Sequence, residues 1–132
     1  MEATKTYYYS KTVDLSPEDA EERVRSELEK EGFGVLTEID VKATLKKKID
    51  VDFRPYKILG ACNPPAAHQA LSVEDKIGTM LPCNVILQET EDGRTEIAAV
   101  DPVASMQSVE NEALRPIAEE IRDRLQTVVD RL

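Results

Sequence analysis

The sequence predicts an α+β fold in which a sheet, antiparallel at least in part, carries helices on one face. Two observations support this prediction. Segments rich in strand-forming residues alternate with segments whose apolar residues recur at helical spacing. The Asp92-Gly93 dipeptide lies between two strand-like segments, and Asp-Gly is a preferred turn of antiparallel hairpins. A length of 132 residues fits a single domain over residues 1–132.

The first part of the chain predicts a strand, a helix and a second strand. Residues 7–13 are rich in β-forming side chains and predict the first strand. Ser16 and Pro17 are typical of the N-cap and first position of a helix. This helix has one apolar stripe, made of Ala20, Val24 and Leu28. Glycines around Phe33 end the helix, and residues 35–39 predict the second strand.

The middle of the chain predicts two shorter helices around a third strand. Asp40 is expected to cap a helix in which Val41, Leu45 and Ile49 share a face. Residues 56–59 follow Pro55 and predict the third strand. Residues 64–71 then predict a helix that Asn63 caps.

The last part predicts a hairpin and a long C-terminal helix. The hairpin strands are residues 84–88 and 95–100. From about residue 111 to residue 132, apolar residues recur at helical spacing: Leu114, Ile117, Ala118, Ile121, Leu125, Val128 and Leu132. Pro116 is expected either to mark the true start of this helix or to bend it.

The composition points to an acidic cytoplasmic protein. The formal net charge is −9, which disfavours nucleic acid and anionic membranes as partners because phosphate binding needs Lys and Arg. The sequence has no apolar run of the length that a membrane span needs, and its first residues are polar rather than typical of a signal peptide. In the cytoplasm, both cysteines are expected to be reduced thiols.

The two cysteines lie in similar segments and form the sharpest functional hypothesis. Cys62 and Cys83 are each followed by Asn, next to a proline that predicts a turn. Both thiols are therefore expected at the ends of regular elements, where they can converge if the third and fourth strands are neighbours. A helix beginning after Asn63 would stabilise a Cys62 thiolate. The alternative is that both cysteines are small buried side chains without a chemical role.

A metal site or a catalytic triad has less support. His68 is the single histidine, so Cys62, His68 and Cys83 are the available set for a metal. Their spacing matches no established zinc pattern, and a solvated helix histidine is the favoured interpretation. The sequence contains neither a nucleophile elbow nor a phosphate-binding loop.

Four polar or aromatic residues complete the candidate site. Asn63 and Asn84 either close turns through their own backbone or face a pocket and bind a polar ligand. Tyr56 and Lys57 begin the strand that leads to Cys62. By strand alternation, one of these two side chains points to the core and the other points away from it.

The chain resembles the domain-of-unknown-function 302 family of small bacterial and archaeal proteins. The residues that carry the resemblance are 51–64, Ala67, Leu71, Gly78, 81–84, 41–45 and Asp101-Pro102. The resemblance implies a curved, mainly antiparallel sheet with helices on one face, similar to the TATA-binding-protein arrangement, and it suggests a homodimer. The family has no established activity, and its fold does not imply DNA binding.

Together these features favour a small binding or thiol-redox module. Its site would lie where the Cys62-Asn63 and Cys83-Asn84 turns meet, with a soft metal, a haem-like cofactor or a small polar ligand as its occupant. The alternative is a non-catalytic, dimeric interaction or scaffold domain with buried thiols. An enzyme for a small polar substrate is the third possibility, with His68 as its base.

Overall fold

The computed structural model describes residues 6–132 and confirms the α+β class. Within these residues, strands and α-helices alternate up to the third helix, and a 3-10 helix over Asp75–Met80, two strands and two α-helices follow. The strands are β1 Tyr8–Val13, β2 Gly34–Asp40, β3 Tyr56–Cys62, β4 Cys83–Glu89 and β5 Thr95–Val100. The helices are α1 Pro17–Lys30, α2 Val41–Ile49, α3 Pro64–Val73, α4 Pro102–Ser105 and α5 Leu114–Asp130.

The strands form one sheet in the order β1-β5-β4-β3-β2, and every neighbouring pair is antiparallel. The prediction that the third and fourth strands are neighbours is therefore confirmed. The β4–β5 hairpin turns at Gly93, whose φ of 82° lies in the left-handed region that glycine adopts without a steric penalty.

Helices α1, α2 and α3 have side-chain caps at the N-cap residues that the sequence predicts. The Ser16 hydroxyl oxygen accepts a hydrogen bond of 3.2 Å from the backbone N–H of Asp19. The carboxylate of Asp40 accepts one from Ala43 at 2.9 Å, and the amide oxygen of Asn63 accepts one from Ala66 at 3.2 Å. Each cap satisfies one of the backbone donors that a helix start leaves without an intrahelical partner.

Helices α1 and α5 pack against one face of the sheet and form the main core with it. The predicted stripe of α1 is fully buried there, together with the inward-facing residues of α5. The sheet contributes alternate residues, as a half-buried antiparallel sheet requires. These are Leu59 and Ala61 of β3, Val85 and Leu87 of β4, and Ile97 and Ala99 of β5.

The strand residues between those of the core point to the other side of the sheet, and they form a second surface, which we call the open face. A row of apolar residues crosses it in register, from Ile39 through Ile58 and Ile86 to Ala98. None of these four side chains is buried, and Ile39 is 47% exposed. The open face is therefore apolar along its centre and accessible.

Three features differ from the sequence prediction or add to it. Strand β3 runs to Cys62, beyond the predicted end at residue 59. The 3-10 helix and α4 had no periodic signal, because each is too short to show one. Helix α5 begins at Leu114, so Pro116 lies in its first turn, where a missing N–H costs little.

Within residues 6–132, no helix is both long enough and apolar enough to span a membrane.

Candidate functional site

A cavity of about 350 Å³ lies beside the ends of β3 and β4, under α3 and α5. Its lining includes both cysteines and Asn63, and the other side chains in it are apolar. The apolar members are Phe33, Leu36, Ala61, Ala66, Ala67, Ala70, Leu71, Leu81, Pro82, Pro102, Met106, Leu114, Ile117, Ala118 and Ile121. None of the lining residues carries a charge, so the site suits a neutral ligand.

The local sequence explains why space remains here. Helix α3 presents alanines to the cavity at positions 66, 67 and 70. Ala70 packs in a small buried cluster with Leu114 of α5, whereas the short side chains of Ala66 and Ala67 leave the neighbouring space open. The cavity therefore coincides with the small side chains of α3.

The structure brings both thiols to this cavity, and both are free. Cys83 pairs with Ala61 in the β3–β4 register, so these two side chains share the helix-covered face. Cys62 is the next residue after Ala61, and strand alternation starts its side chain on the other side of the sheet. Both thiols nevertheless line the same cavity, as free thiols, and lie close enough for a charge on Cys62 to act on Cys83.

Burial raises the pKa of the Cys83 thiol to about 11, and the nearby charge of a Cys62 thiolate adds to the rise. At neutral pH, Cys83 therefore keeps its proton. Since the thiolate is the nucleophile and the metal ligand, Cys83 is poorly suited to either role at that pH.

The structure does not bring the residues of the three-ligand metal set together. Among residues 6–132, no group of three potential His, Cys, Asp or Glu ligands comes together. His68 is exposed on α3, and it is absent from the cavity lining. The helix that places Ala66 and Ala67 inward turns His68 outward, because successive helix residues differ by about 100° in direction.

Asn63 is the one lining residue with an amide. Its oxygen caps α3, which leaves its Nδ2 group without a hydrogen-bond partner in the described part of the chain. A Cβ atom on Gly32 would come within 3.2 Å of that nitrogen. Gly32 has a φ of 83°, so its turn both favours glycine and keeps the space beside the amide open.

Asn84 and Tyr56 do not join this site, which corrects the expectation that the two Cys-Asn turns share one pocket. Asn84 pairs with Gly60 and Tyr56 pairs with Gln88, and both side chains line a separate depression of about 420 Å³ on the open face. The physical reason is strand alternation: Cys83 points toward the helices, so the next residue, Asn84, points toward the open face.

Lys57 is on the helix-covered side but away from the cavity. Its ammonium group contacts Glu21 of α1 at 2.8 Å and Glu38 of β2 at 3.0 Å. The pKa of Lys57 is raised most by its hydrogen bond to Glu21 and next by its hydrogen bond to Glu38. Lys57 therefore joins α1 to the sheet edge and is not placed to contact a ligand in the cavity.

Sequence reasoning missed the part of the wall that comes from α4 and α5. Met106 and Pro102 belong to a short segment without periodicity, and nothing in the sequence links them to the cysteines. The sequence carries no signal for this wall, because the alanines of α3 do not by themselves predict a gap in a close-packed interior.

Comparison with known proteins identifies the family. Residues 9–132 match the family described as "Domain of unknown function DUF302". A crystal structure of an uncharacterized conserved DUF302 protein from Bacillus stearothermophilus is 32% identical in sequence and superposes with a TM-score of 0.90. The match covers 96% of this chain and 98% of that chain. No curated protein matches the sequence. The chain belongs to the DUF302 family.

Proposed function

We propose that this member of the DUF302 family is a small-ligand-binding module whose site is the cavity lined by Cys62, Asn63 and Cys83. The observation that carries the proposal is the cavity itself, about 350 Å³ in volume and without a charged lining residue. Ligand sites of small molecules have volumes of roughly 300–1,000 Å³ and mainly apolar walls with few polar groups.

The lining favours an apolar ligand over the polar ligand that the sequence suggested. A charged or strongly polar molecule would lose its hydration on entry and find only one amide and two weakly polar thiols. Burial of apolar ligand surface stabilises a complex by about 25 cal/mol per Å².

Binding is favoured over thiol-redox chemistry by the state of Cys83. The raised pKa of Cys83 keeps the thiol protonated, which slows attack on a disulfide. In the proposal, both thiols serve as small, polarizable wall groups.

A neutral fluorescent probe tests the proposal. N-phenyl-1-naphthylamine has no charge and gains fluorescence in apolar sites, so a saturable increase with one probe per chain is the expected result. Ala67→Leu fills the cavity from α3 and is expected to weaken probe binding at least tenfold. Ala43→Leu makes the same change on the exposed surface of α2 and is the matched control. Equal binding by both variants would refute this site.

A second candidate function is a dimeric interaction domain, and the open face is the observation that favours it. Its apolar row and its aromatic margin at Tyr8, which is 42% exposed, are accessible in the monomer. With ~4.8 Å between strands and ~3.4 Å per residue, five strands of six residues present a flat area of roughly 490 Å². A standard interface buries ~800 Å² per partner, so this face offers more than half of that area before side chains are counted.

The occupant proposed for the open face is a second copy of the chain, because two such apolar rows would cover each other face to face. Ile86→Lys puts a charge in the middle of the row and is expected to convert a dimer to a monomer in analytical ultracentrifugation. Val73→Lys alters an exposed apolar residue of α3 and should leave the mass unchanged. A monomeric wild-type protein at high micromolar concentration would refute this candidate.

A further inference from the structure

We propose that the depression on the open face binds a small organic cation, an ammonium group joined to an aromatic body, and that the Glu96 carboxylate is its ionic partner. This site is separate from the cavity between the sheet and α3, so the proposal goes beyond the ligand-binding function given above. Arylalkylamines have the chemistry that it requires.

The walls of the depression are of the kind that bind small molecules. Its volume is about 420 Å³. Its lining combines apolar residues and two amides with the tyrosines Tyr7, Tyr8 and Tyr56, whose rings offer flat apolar surface with a polar tip. Glu96 is the one charged residue among the lining residues that the structure describes. The charge of the depression is therefore negative and complements a cation.

The Glu96 side chain faces this depression. Its neighbours along β5, Thr95 and Ile97, are both buried, so strand alternation directs Glu96 to the open face. Glu96 pairs with Gln88 in the β4–β5 register, and its Oε1 atom accepts a hydrogen bond of 2.8 Å from Nε2 of Gln88. Because Gln88 also lines the depression, this contact holds the carboxylate at its surface.

The carboxylate is held in position and keeps one oxygen for a ligand. Arg54 donates from Nε to Oε1 of Gln88 at 2.9 Å, which fixes the orientation of the Gln88 amide. The Arg54 guanidinium itself lies over the ring of Phe53, 4.4 Å from its centre. Within residues 6–132, Glu96 forms no ion pair, and Gln88 is its one side-chain hydrogen-bond partner. Oε2 is therefore placed to accept a hydrogen bond from an ammonium group.

The surroundings of Glu96 define the rest of the ligand. Glu96 is half-buried, so its carboxylate has lost part of its hydration, and a charged donor replaces it better than a neutral one does. From there the depression continues over the small side chain of Ala98 to Val100 and to Tyr8, which pairs with Val100. At ~3.4 Å per residue, residues 96 to 100 span ~14 Å, which accommodates an ammonium group at one end and a ring at the other.

The test uses three probes of similar length that differ in charge: 4-phenylbutylamine, 4-phenylbutanol and 4-phenylbutyrate. Each is titrated into the ¹⁵N-labelled protein at low ionic strength. The amide shifts of Ala98 and Val100 report binding to the open face, whereas those of Ala66 and Cys83 report binding to the cavity. At the open face, the amine is expected to bind about 3- to 10-fold more tightly than the alcohol, and the butyrate more weakly than both.

Two variants assign the selectivity to one residue. Glu96→Gln removes the charge but keeps an oxygen for the bond from Gln88, so the ratio of amine to alcohol affinity should fall to about one. Glu91→Gln makes the same change in the exposed hairpin turn, outside the depression, and should keep the wild-type ratio.

Three results would overturn the inference: equal binding of the amine and the alcohol at the open face, a ratio that Glu96→Gln does not lower, or no binding of the amine there. Each of these leaves the proposed cavity site in place, because binding to the cavity is read from different residues. A response of Ala66 and Cys83 to the alcohol, without a response of Ala98 and Val100 to the amine, would support the cavity and refute the cation site.

Discussion

The reactivity of Cys83 is the physical property on which the choice between binding and redox chemistry depends. In the variant Cys62→Ser, Cys83 is the single thiol of the chain. Burial, the larger cause of its raised pKa, remains in this variant. We predict that its alkylation by iodoacetamide at pH 8 is much slower in the folded protein than in denaturant.

The magnitude follows from the pKa. The thiol has an ordinary value of 9.0 and a value of about 11 in the fold. Below both values, each pKa unit lowers the thiolate fraction tenfold, so the wild-type fold has about 100-fold less Cys83 thiolate at the same pH. The variant keeps the larger part of this difference, since only the Cys62 charge is lost. Limited access to the cavity slows the reaction further.

The pH profile gives an independent check with a defined sign. Because the folded thiol holds its proton to a higher pH, its alkylation rate should rise about tenfold per pH unit from pH 8 to pH 10 and level off only above about 11. The unfolded chain should level off about two units lower. Similar rates in the folded and unfolded states at pH 8 would refute the buried-thiol reasoning and return redox chemistry to first place.

Three further predictions concern the stability of the fold. In Gly60→Ala, the added Cβ atom clashes with the side chain of Thr37, so the free energy of unfolding should fall by about 1–3 kcal/mol. In Gly34→Ala, the added Cβ atom meets no atom within 4 Å, so the free energy of unfolding should change little. Urea denaturation of the two variants measures the difference. Asn63→Ala removes the cap of α3 and should cost about 1 kcal/mol in the same assay, a loss that Asn63→Asp should avoid. Lys57→Met should lower the melting temperature at low salt but not at 1 M salt, because salt screens the two partly exposed ion pairs of Lys57. A decrease in melting temperature that does not depend on salt would contradict this account.

The sequence predicted local structure well because caps and stripes are local signals. Ser16, Asp40 and Asn63 each cap the expected helix, and the Asp92-Gly93 turn joins the expected strands. The long-range pairing of β1 with β5 had no such signal, because nothing near residue 8 identifies residue 100 as its partner.

A related reason explains why only some of the predicted site residues lie together. Cys62, Asn63 and Cys83 reach one cavity, but Asn84 and Tyr56 lie on the open face. The repeated Cys-Asn motif suggested equivalent roles, whereas Asn63 has left its strand to cap a helix and Asn84 remains inside a strand. A shared dipeptide therefore does not fix the direction of a side chain, which depends on the element that contains it.

The most direct test of the account is an NMR titration of the ¹⁵N-labelled protein with N-phenyl-1-naphthylamine. We predict that the chemical shift changes concentrate on residues of the cavity, among them Ala66, Cys83 and Met106, and saturate at one probe per chain. Changes that concentrate on Ile86 and Ala98 of the open face, or no saturable change at all, would contradict the claim that the cavity is the ligand site.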